Sequence, residues 1–171
     1  NEGMLRLRRA LFARMLDVKL DTLRSESASS LANSIVHEVQ NAIMVGCYGG
    51  FLVGQQAARL MLKAGHGTIL FTGASASVKG FALSAAFAMG KFGLRGLTQS
   101  MARELAPQNI HVAHFVIDGG IRQPGDTRGQ DRGPDALLEP DAIAASYLAV
   151  HRQHRSAWTA EIELRPWVEK Y

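Results

Sequence analysis

The amino-acid sequence predicts an α/β protein with a parallel sheet of three recognisable strands, flanked by helices and preceded by a helical N-terminal extension. Two observations predict this class. Three short apolar runs alternate with longer segments of helical periodicity, and the links between them are short. Strand, helix, strand, helix, strand in this order implies right-handed crossovers and parallel strands. A chain of 171 residues, 47% of them hydrophobic, is long enough for one sizeable core.

The α/β unit occupies residues 35–171 in this interpretation, and residues 1–34 form the extension and a serine-rich linker. Residues 4–24 place apolar side chains at helical spacing, with basic side chains on the opposite face. A presequence or a membrane-surface helix has a similar pattern. Asp17 and Asp21 favour a packed surface helix instead, because acidic residues are unusual in a presequence.

Glycine, proline and basic residues mark the ends of the predicted elements. Lys63 and Gly65 end the first long helix of the α/β unit, Pro107 ends the second, and Pro140 opens the third. No internal repeat is visible. The predicted helices cover residues 36–65, 85–107 and 140–153, and the predicted strands cover residues 67–74, 110–118 and 157–166.

Composition argues against several classes of protein. The net charge is +4, but most basic residues are interleaved with acidic ones, so the sequence does not predict nucleic-acid binding. It contains no run of eighteen apolar residues, so we expect no transmembrane segment. A single cysteine, Cys47, excludes an internal disulfide and favours a reduced, cytoplasmic setting. Its apolar neighbours indicate a buried small side chain, not a reactive thiol.

Lys91 lies in an unusual setting for a charged residue, within the segment AAFAMGKFGLRGLTQSMARELAP. This segment, together with GTILFTGAS before it and IHVAHFV and SAWTAEIELRP after it, resembles the C-terminal half of the short-chain dehydrogenase/reductase family. The resemblance covers about residues 36–171. It implies a partial Rossmann-like fold and an oxidoreductase that uses NAD or NADP. It also implies that Lys91 matches the family lysine, which holds the nicotinamide ribose and lowers the pKa of a catalytic tyrosine.

The catalytic positions implied by the resemblance are altered in this chain. Phe87 stands at the tyrosine position, and a phenylalanine has no hydroxyl with which to act as a general acid. Ser75 lies one residue from the position of the family's serine. We therefore take Lys91, Ser75 and the altered Phe87 as candidate catalytic residues. The family's serine, asparagine and Pro-Gly pair align with Ala74, Gly46, Ile117 and Asp118.

A dinucleotide site of the family's kind is not evident in the sequence. Family members begin with a strand and a glycine-rich turn that holds the pyrophosphate, but no G-x-G-x-x-G occurs here. The glycines of GCYGGFLVG lie inside an apolar helix that no strand precedes, so they favour close packing over phosphate binding. Lys91 remains the candidate cofactor-binding residue. Any cofactor is expected to be NAD(P), and the chain alone is not expected to bind it in the family's manner.

A hydrolytic site is an alternative prediction. Ser75 or Ser77 follows one strand, while His114 and Asp118 lie in and after the next, so parallel pairing would bring them near one another. The GASAS segment is not the G-x-S-x-G turn of many hydrolases, and a serine that bonds its own backbone is the simpler interpretation. His111 and His114 are three apart in a strand, so they face opposite sides and no metal pair is predicted.

Three functions remain open from the sequence. The chain could be a divergent oxidoreductase with weak or no activity, a hydrolase at the strand ends, or a non-catalytic partner of a complete family member. We also expect a homo-oligomer that forms through the helices of residues 36–63 and 83–105, as the resemblance implies. Candidate contact residues are Phe51, Ala57, Leu60, Leu94, Leu97 and Met101.

Overall fold

The computed structural model describes residue 40 and residues 44–169, in which helices and strands alternate as predicted. A π-helical stretch, Met44–Tyr48, leads into the first helix. The predictions for the N-terminal extension and for the boundary at residue 34 lie outside the described residues. The elements are α1 (Gly49–Ala64), β1 (Gly67–Thr72), α2 (Ala85–Leu105), β2 (Ile110–Ile117), α3 (Pro140–His151) and β3 (Glu161–Leu164).

The strands form one parallel sheet in the order β1-β2-β3, which confirms the predicted fold class. β2 is the central strand, and all eight of its residues are buried. Burial on both faces explains its nearly continuous apolar sequence. The predicted end signals are also present: Gly65 takes a left-handed conformation with φ 74° after α1, and Pro140 begins α3.

Helices cover both faces of the sheet. On one face, α1 and α2 pack over a core that contains Ile69, Phe71 and Val112. On the other face, α3 packs over Phe115 and the partly buried Leu70. Side chains alternate between faces along each strand, so neighbouring residues enter different cores. The position of each polar side chain along β2 therefore determines the face of the sheet on which it lies.

Close packing explains the glycines of the first helix. A methyl group added at Gly54 would lie 2.8 Å from the Phe71 ring, and one added at Gly50 would lie 2.5 Å from Leu94. A methyl group added at Gly46, just before the helix, would lie 3.5 Å from the Gly90 Cα, which is an ordinary contact. The contacts under 3.0 Å at Gly50 and Gly54 leave little room for a side chain, so these two glycines serve close approach.

The structure corrects part of the predicted contact surface of α1 and α2. Leu94 is buried in the core, and Leu97 and Met101 pack against that core, so these three side chains face the protein interior. Leu60, by contrast, is 67% exposed. The sequence predicted the helical spacing of these apolar residues. A helix in this layer has an inward apolar face and an outward apolar face, and the sequence pattern did not distinguish the two.

Candidate functional site

A cleft of about 560 Å³ lies at the carboxyl ends of β1 and β2. Ligands of open parallel sheets commonly bind at this edge, because the loops that follow the strands diverge there. The candidate residue Ser75 lines the cleft, whereas Phe87 and Lys91 do not. The lining residues are Ser75, Lys79, Phe81, Asp118, Gly119, Arg132, Val168 and Glu169.

Asp118 is the buried acid of this cleft. Its carboxylate lies 3.1 Å from Lys79 Nζ and 2.8 Å from Arg165 Nη2, and it accepts a hydrogen bond from Ser75. Burial raises the pKa of Asp118, but the hydrogen bonds from Ser75 and Lys79 and the two positive charges outweigh burial and hold the pKa below its usual value. The acid is therefore ionised at neutral pH. Lys79 and Ser75 are the donors beside it that could hold a carbonyl or hydroxyl oxygen.

Lys91 binds the end of the first strand. Its ammonium donates a hydrogen bond to the Thr72 carbonyl at 3.1 Å and lies 5.8 Å from the centroid of the Phe87 ring, within cation–π range. Burial lowers the pKa of Lys91. Phe87 itself is 37% exposed, so it is not a core residue. The two side chains are on one helix face, as the spacing of four predicts, and no hydroxyl at position 87 accompanies the ammonium.

His114 stands at the centre of the sheet and is 1% exposed. Its Nδ1 lies 3.1 Å from Glu161 Oε2 on β3, and both oxygens of Glu161 accept hydrogen bonds of 2.7 Å from Arg95 on α2. Burial lowers the pKa of His114, although the bond to Glu161 opposes this. The hydrogen bond from Arg95 lowers the pKa of Glu161, so its carboxylate is ionised and accepts the proton on Nδ1.

A tight turn connects the first strand to the cleft. Gly73 donates its amide to the Phe115 carbonyl at 2.6 Å, and the Ala74 amide donates to Ser77 Oγ at 3.1 Å. Ser77 is fully buried. A methyl group added at Gly73 would lie 2.2 Å from His114 Nε2 and 2.6 Å from Ser77 Oγ, so the turn packs directly on the imidazole.

The predicted hydrolytic set is only partly assembled. Ser75 and Asp118 meet, as the parallel pairing predicts, but His114 is paired with Glu161 and not with Asp118. Ser77 and His114 are 0% and 1% exposed, which leaves no access for an acyl substrate. The prediction assigned the wrong acid to His114, because the strand that carries Glu161 adds to the sheet beside His114. These contacts give a hydrolase no support.

Sequence reasoning missed four charged residues of the site. Glu161 could have been found, since an acid that alternates with apolar residues in a strand must lie on one face of the sheet. Arg95 follows Lys91 by four positions and Phe87 by eight, so it continues their helix face. No sequence signal identified Lys79 or Arg165, because their contact with Asp118 joins three separate loops and strands.

The fold and the cleft define a class: open parallel α/β proteins whose ligands bind at the carboxyl ends of the strands. The sequence family described as short chain dehydrogenase matches residues 24–125. The chain belongs to this short-chain dehydrogenase family. None of the helices within residue 40 and residues 44–169 is long and apolar enough to cross a membrane.

Two curated relatives and two solved structures illustrate the relationship. The trans-4-hydroxycyclohexanecarboxylate dehydrogenase of Sinomonas cyclohexanicum is 35% identical over 118 residues, which are 69% of this chain and 44% of that protein. The 3alpha-hydroxysteroid dehydrogenase of Mediterraneibacter gnavus is 31% identical over 162 residues, which are 86% of this chain and 62% of that protein. The chain thus spans about half the length of these relatives.

A short-chain dehydrogenase from Rhodopseudomonas palustris has 44% identity and a TM-score of 0.62, with 77% of this chain and 53% of that chain covered. A metagenomic short-chain oxidoreductase in complex with NADP has 25% identity and a TM-score of 0.58, with 72% of this chain and 49% of that chain covered. This chain therefore covers about half of each of these two structures.

Proposed function

We propose that this chain is a divergent short-chain dehydrogenase/reductase-like protein, an NAD(P)-dependent oxidoreductase by descent with weak or no turnover. The observation that carries the proposal is the environment of Lys91. Phe87 offers no hydroxyl to the ammonium, and the ammonium is hydrogen-bonded to Thr72. General acid catalysis contributes about 10²- to 10⁴-fold to a rate, so the absence of the donor would by itself lower the rate by a factor of this size.

The described residues fit one end of a nicotinamide dinucleotide only. Lys91 could turn from Thr72 to hold the hydroxyls of a ribose. A pyrophosphate needs free backbone amides, and three amides of the turn after β1 already donate within the protein: Gly73 to the Phe115 carbonyl, Ala74 to Ser77 Oγ, and Ser77 to the Ala74 carbonyl. When bound, NAD(P) would supply a hydride acceptor or donor.

The cleft is the proposed substrate site. Ser75 and Lys79 would hold the oxygen of a small alcohol or carbonyl compound, and Phe81 and Val168 would contact its apolar part. The two relatives are named for a hydroxycyclohexanecarboxylate and a hydroxysteroid, so these two alcohols belong in the first substrate panel. Asp118 keeps Lys79 and Ser75 in place through ionic and hydrogen bonds.

A thermal-shift experiment with NADPH and NADH tests the cofactor assignment. A ligand at one hundred times its dissociation constant stabilises a protein by about 2.7 kcal/mol. Because the described residues fit only one end of the cofactor, we expect a smaller stabilisation at millimolar NADPH or NADH. The effect should disappear in Lys91→Met, on α2. It should persist in the control Lys63→Met, whose side chain lies in the last turn of α1. Stabilisation that persists in Lys91→Met, or none in the wild type, would contradict cofactor binding through Lys91. Rapid turnover of either alcohol with NAD⁺ would contradict weak activity.

We propose in addition that two copies of the chain associate through α1 and α2. Supporting this, the outward side of these helices carries large apolar side chains: Val53 is 71% exposed, Leu60 is 67% exposed and Met89 is 53% exposed. Exposed apolar side chains in neighbouring turns are characteristic of an interaction surface. Leu94, Leu97 and Met101 are no longer part of the proposed contact, since they pack toward the core.

A further inference from the structure

His114 has one bonded and one unbonded ring nitrogen. Nδ1 lies 3.1 Å from the Glu161 carboxylate, so the proton of a neutral imidazole belongs on Nδ1. Nε2 is completely buried and has no hydrogen-bond partner within residue 40 and residues 44–169. In neutral histidine this second nitrogen carries a lone pair and no hydrogen, so it occupies less space there than an N–H group. The contacts around Nε2 therefore depend on the protonation state.

The group that packs on Nε2 is the turn after β1. A Cβ at Gly73 would lie 2.2 Å from Nε2, and the same position is 2.6 Å from Ser77 Oγ, so no water fits between the turn and the ring. Ser77 Oγ already accepts the Ala74 amide within the turn. Between Gly73 and Ser77 lies Ser75, whose hydroxyl reaches Asp118 in the cleft. A displacement of the turn is thus a displacement of Ser75.

We propose that His114 is a positioning residue for the Gly73–Ser77 turn. The turn packs on the imidazole while Nε2 is unprotonated, and protonation of Nε2 displaces the turn together with Ser75. A proton on Nε2 adds an N–H that points at Gly73 and Ser77, where space is lacking. It also requires an acceptor, and no acceptor bonds Nε2 among the described residues. The inference treats Ser75 as a cleft residue, and in that respect it rests on the proposed function.

Charged groups from two elements face the imidazole. Glu161 on β3 favours the protonated ring, while Arg95 and Lys91 on α2 disfavour it. The turn itself contributes no charge, because residues 73–77 are glycine, alanine and serine. Burial is the largest influence and lowers the pKa of His114, so the ring is neutral at pH 7 and gains its second proton only in more acidic solution.

The test is an NMR pH titration of the full chain without cofactor or substrate, following the His114 ring carbons and the backbone amides of the turn. We expect the Gly73 and Ser77 amides to shift with the same midpoint as the His114 ring, at a lower pH than an exposed histidine. Glu161→Gln should move both midpoints to still lower pH, because it removes the carboxylate that stabilises the protonated ring.

Two substitutions separate His114 from other titrating groups. His114→Asn keeps a donor near Glu161 but cannot titrate, so the shift of the turn amides should be lost. His111→Asn is the matched control: His111 is also buried in β2, but its ring stacks on Trp158 and bonds the Thr159 carbonyl. If His114→Asn does not fold, the shared wild-type midpoint and its change in Glu161→Gln decide the question.

Turn amides that stay unchanged while the His114 ring titrates would overturn the proposal, as would an unaltered titration of the turn in His114→Asn. A His114 ring that titrates like an exposed histidine would also overturn it. The readout needs no turnover and no bound cofactor. Absence of stabilisation by NADPH and NADH with an intact titration would thus count against the proposed function alone, and the reverse result would count against the positioning role alone.

Discussion

Replacing Phe87 with tyrosine would test directly whether the missing proton donor limits activity. The substitution adds one hydroxyl on the helix face of Lys91, whose ammonium lies 5.8 Å from the centroid of the present ring. Phe87 is 37% exposed, so the larger side chain can be accommodated at the surface without repacking the core. The change is therefore chemical, with little expected effect on folding.

The magnitude follows from the distance. If the phenolate formed about 5.8 Å from the ammonium, Coulomb attraction would be about 3 kcal/mol at an effective dielectric constant of about 20. That energy corresponds to a phenol pKa lowered by about 2 units, and solvent screening at this half-exposed position makes the shift smaller. The hydroxyl would be a competent acid. In a reductase that lacks only this group, the rate should rise about 10²- to 10⁴-fold.

We expect a rise of less than tenfold in Phe87→Tyr. A proton donor accelerates the reaction only when hydride and carbonyl are held together, and the sequence has no G-x-G-x-x-G turn that would hold the pyrophosphate. The assay is NADPH oxidation with a panel of ketones and aldehydes. Phe92→Tyr is the control, because it adds a hydroxyl on the same helix at another angle and is 43% exposed. A tenfold or larger rise in Phe87→Tyr alone would refute the reasoning.

Three further predictions concern stability and assembly. Gly73→Ala should lower the free energy of unfolding measured in urea by about 1–3 kcal/mol, because its methyl group overlaps His114. Gly80→Ala has open space around the new methyl group and should change this free energy by less than about 0.5 kcal/mol. Equal effects of the two substitutions would contradict the packing argument. Between the ordinary histidine pKa of about 6.5 and the lower native pKa of His114, the unfolded chain binds more protons than the native chain, so stability should fall as pH falls through that window. Urea titrations at stepped pH check this, and a stability that does not change there would count against a buried neutral ring. Leu60→Glu should reduce the mass found by light scattering at micromolar concentration to that of a monomer, while Leu148→Glu, at an exposed position of α3 on the other face of the sheet, should not; a monomeric wild type would remove the proposed association.

Local sequence signals predicted the fold well, because each element carries its own boundary chemistry. Gly65 and Pro140 stand where the first and third helices end and begin. The last strand is shorter than predicted, Glu161–Leu164 in place of residues 157–166, since residues Arg155–Ala157 form a 3-10 turn. The first helix of the unit is described at residue 40 and from Met44 onward, so its predicted beginning at residue 36 is untested.

The site was less accessible to sequence reasoning, because it depends on contacts across the sheet. The pairing of Ser75 with Asp118 was predictable, since both follow parallel strands. The partner of His114 was not, because Glu161 lies 47 residues later and its pairing depends on the register of β3 against β2. Charge patterns along the chain do not specify which ionic groups meet across such distances. For the same reason, the hydrogen bond from the Lys91 ammonium to the Thr72 carbonyl was not predicted.

Thr72 joins the two helix layers through a single residue at the end of β1. Its carbonyl accepts the Lys91 ammonium from α2, and its hydroxyl lies 2.8 Å from the Tyr147 hydroxyl of α3. The backbone bond and the side-chain bond are chemically separable: Thr72→Val removes the second and leaves the first. A substitution at this position can therefore weaken the contact with α3 while the lysine stays bonded to the strand, so the two helix layers are held to the end of β1 by separate bonds.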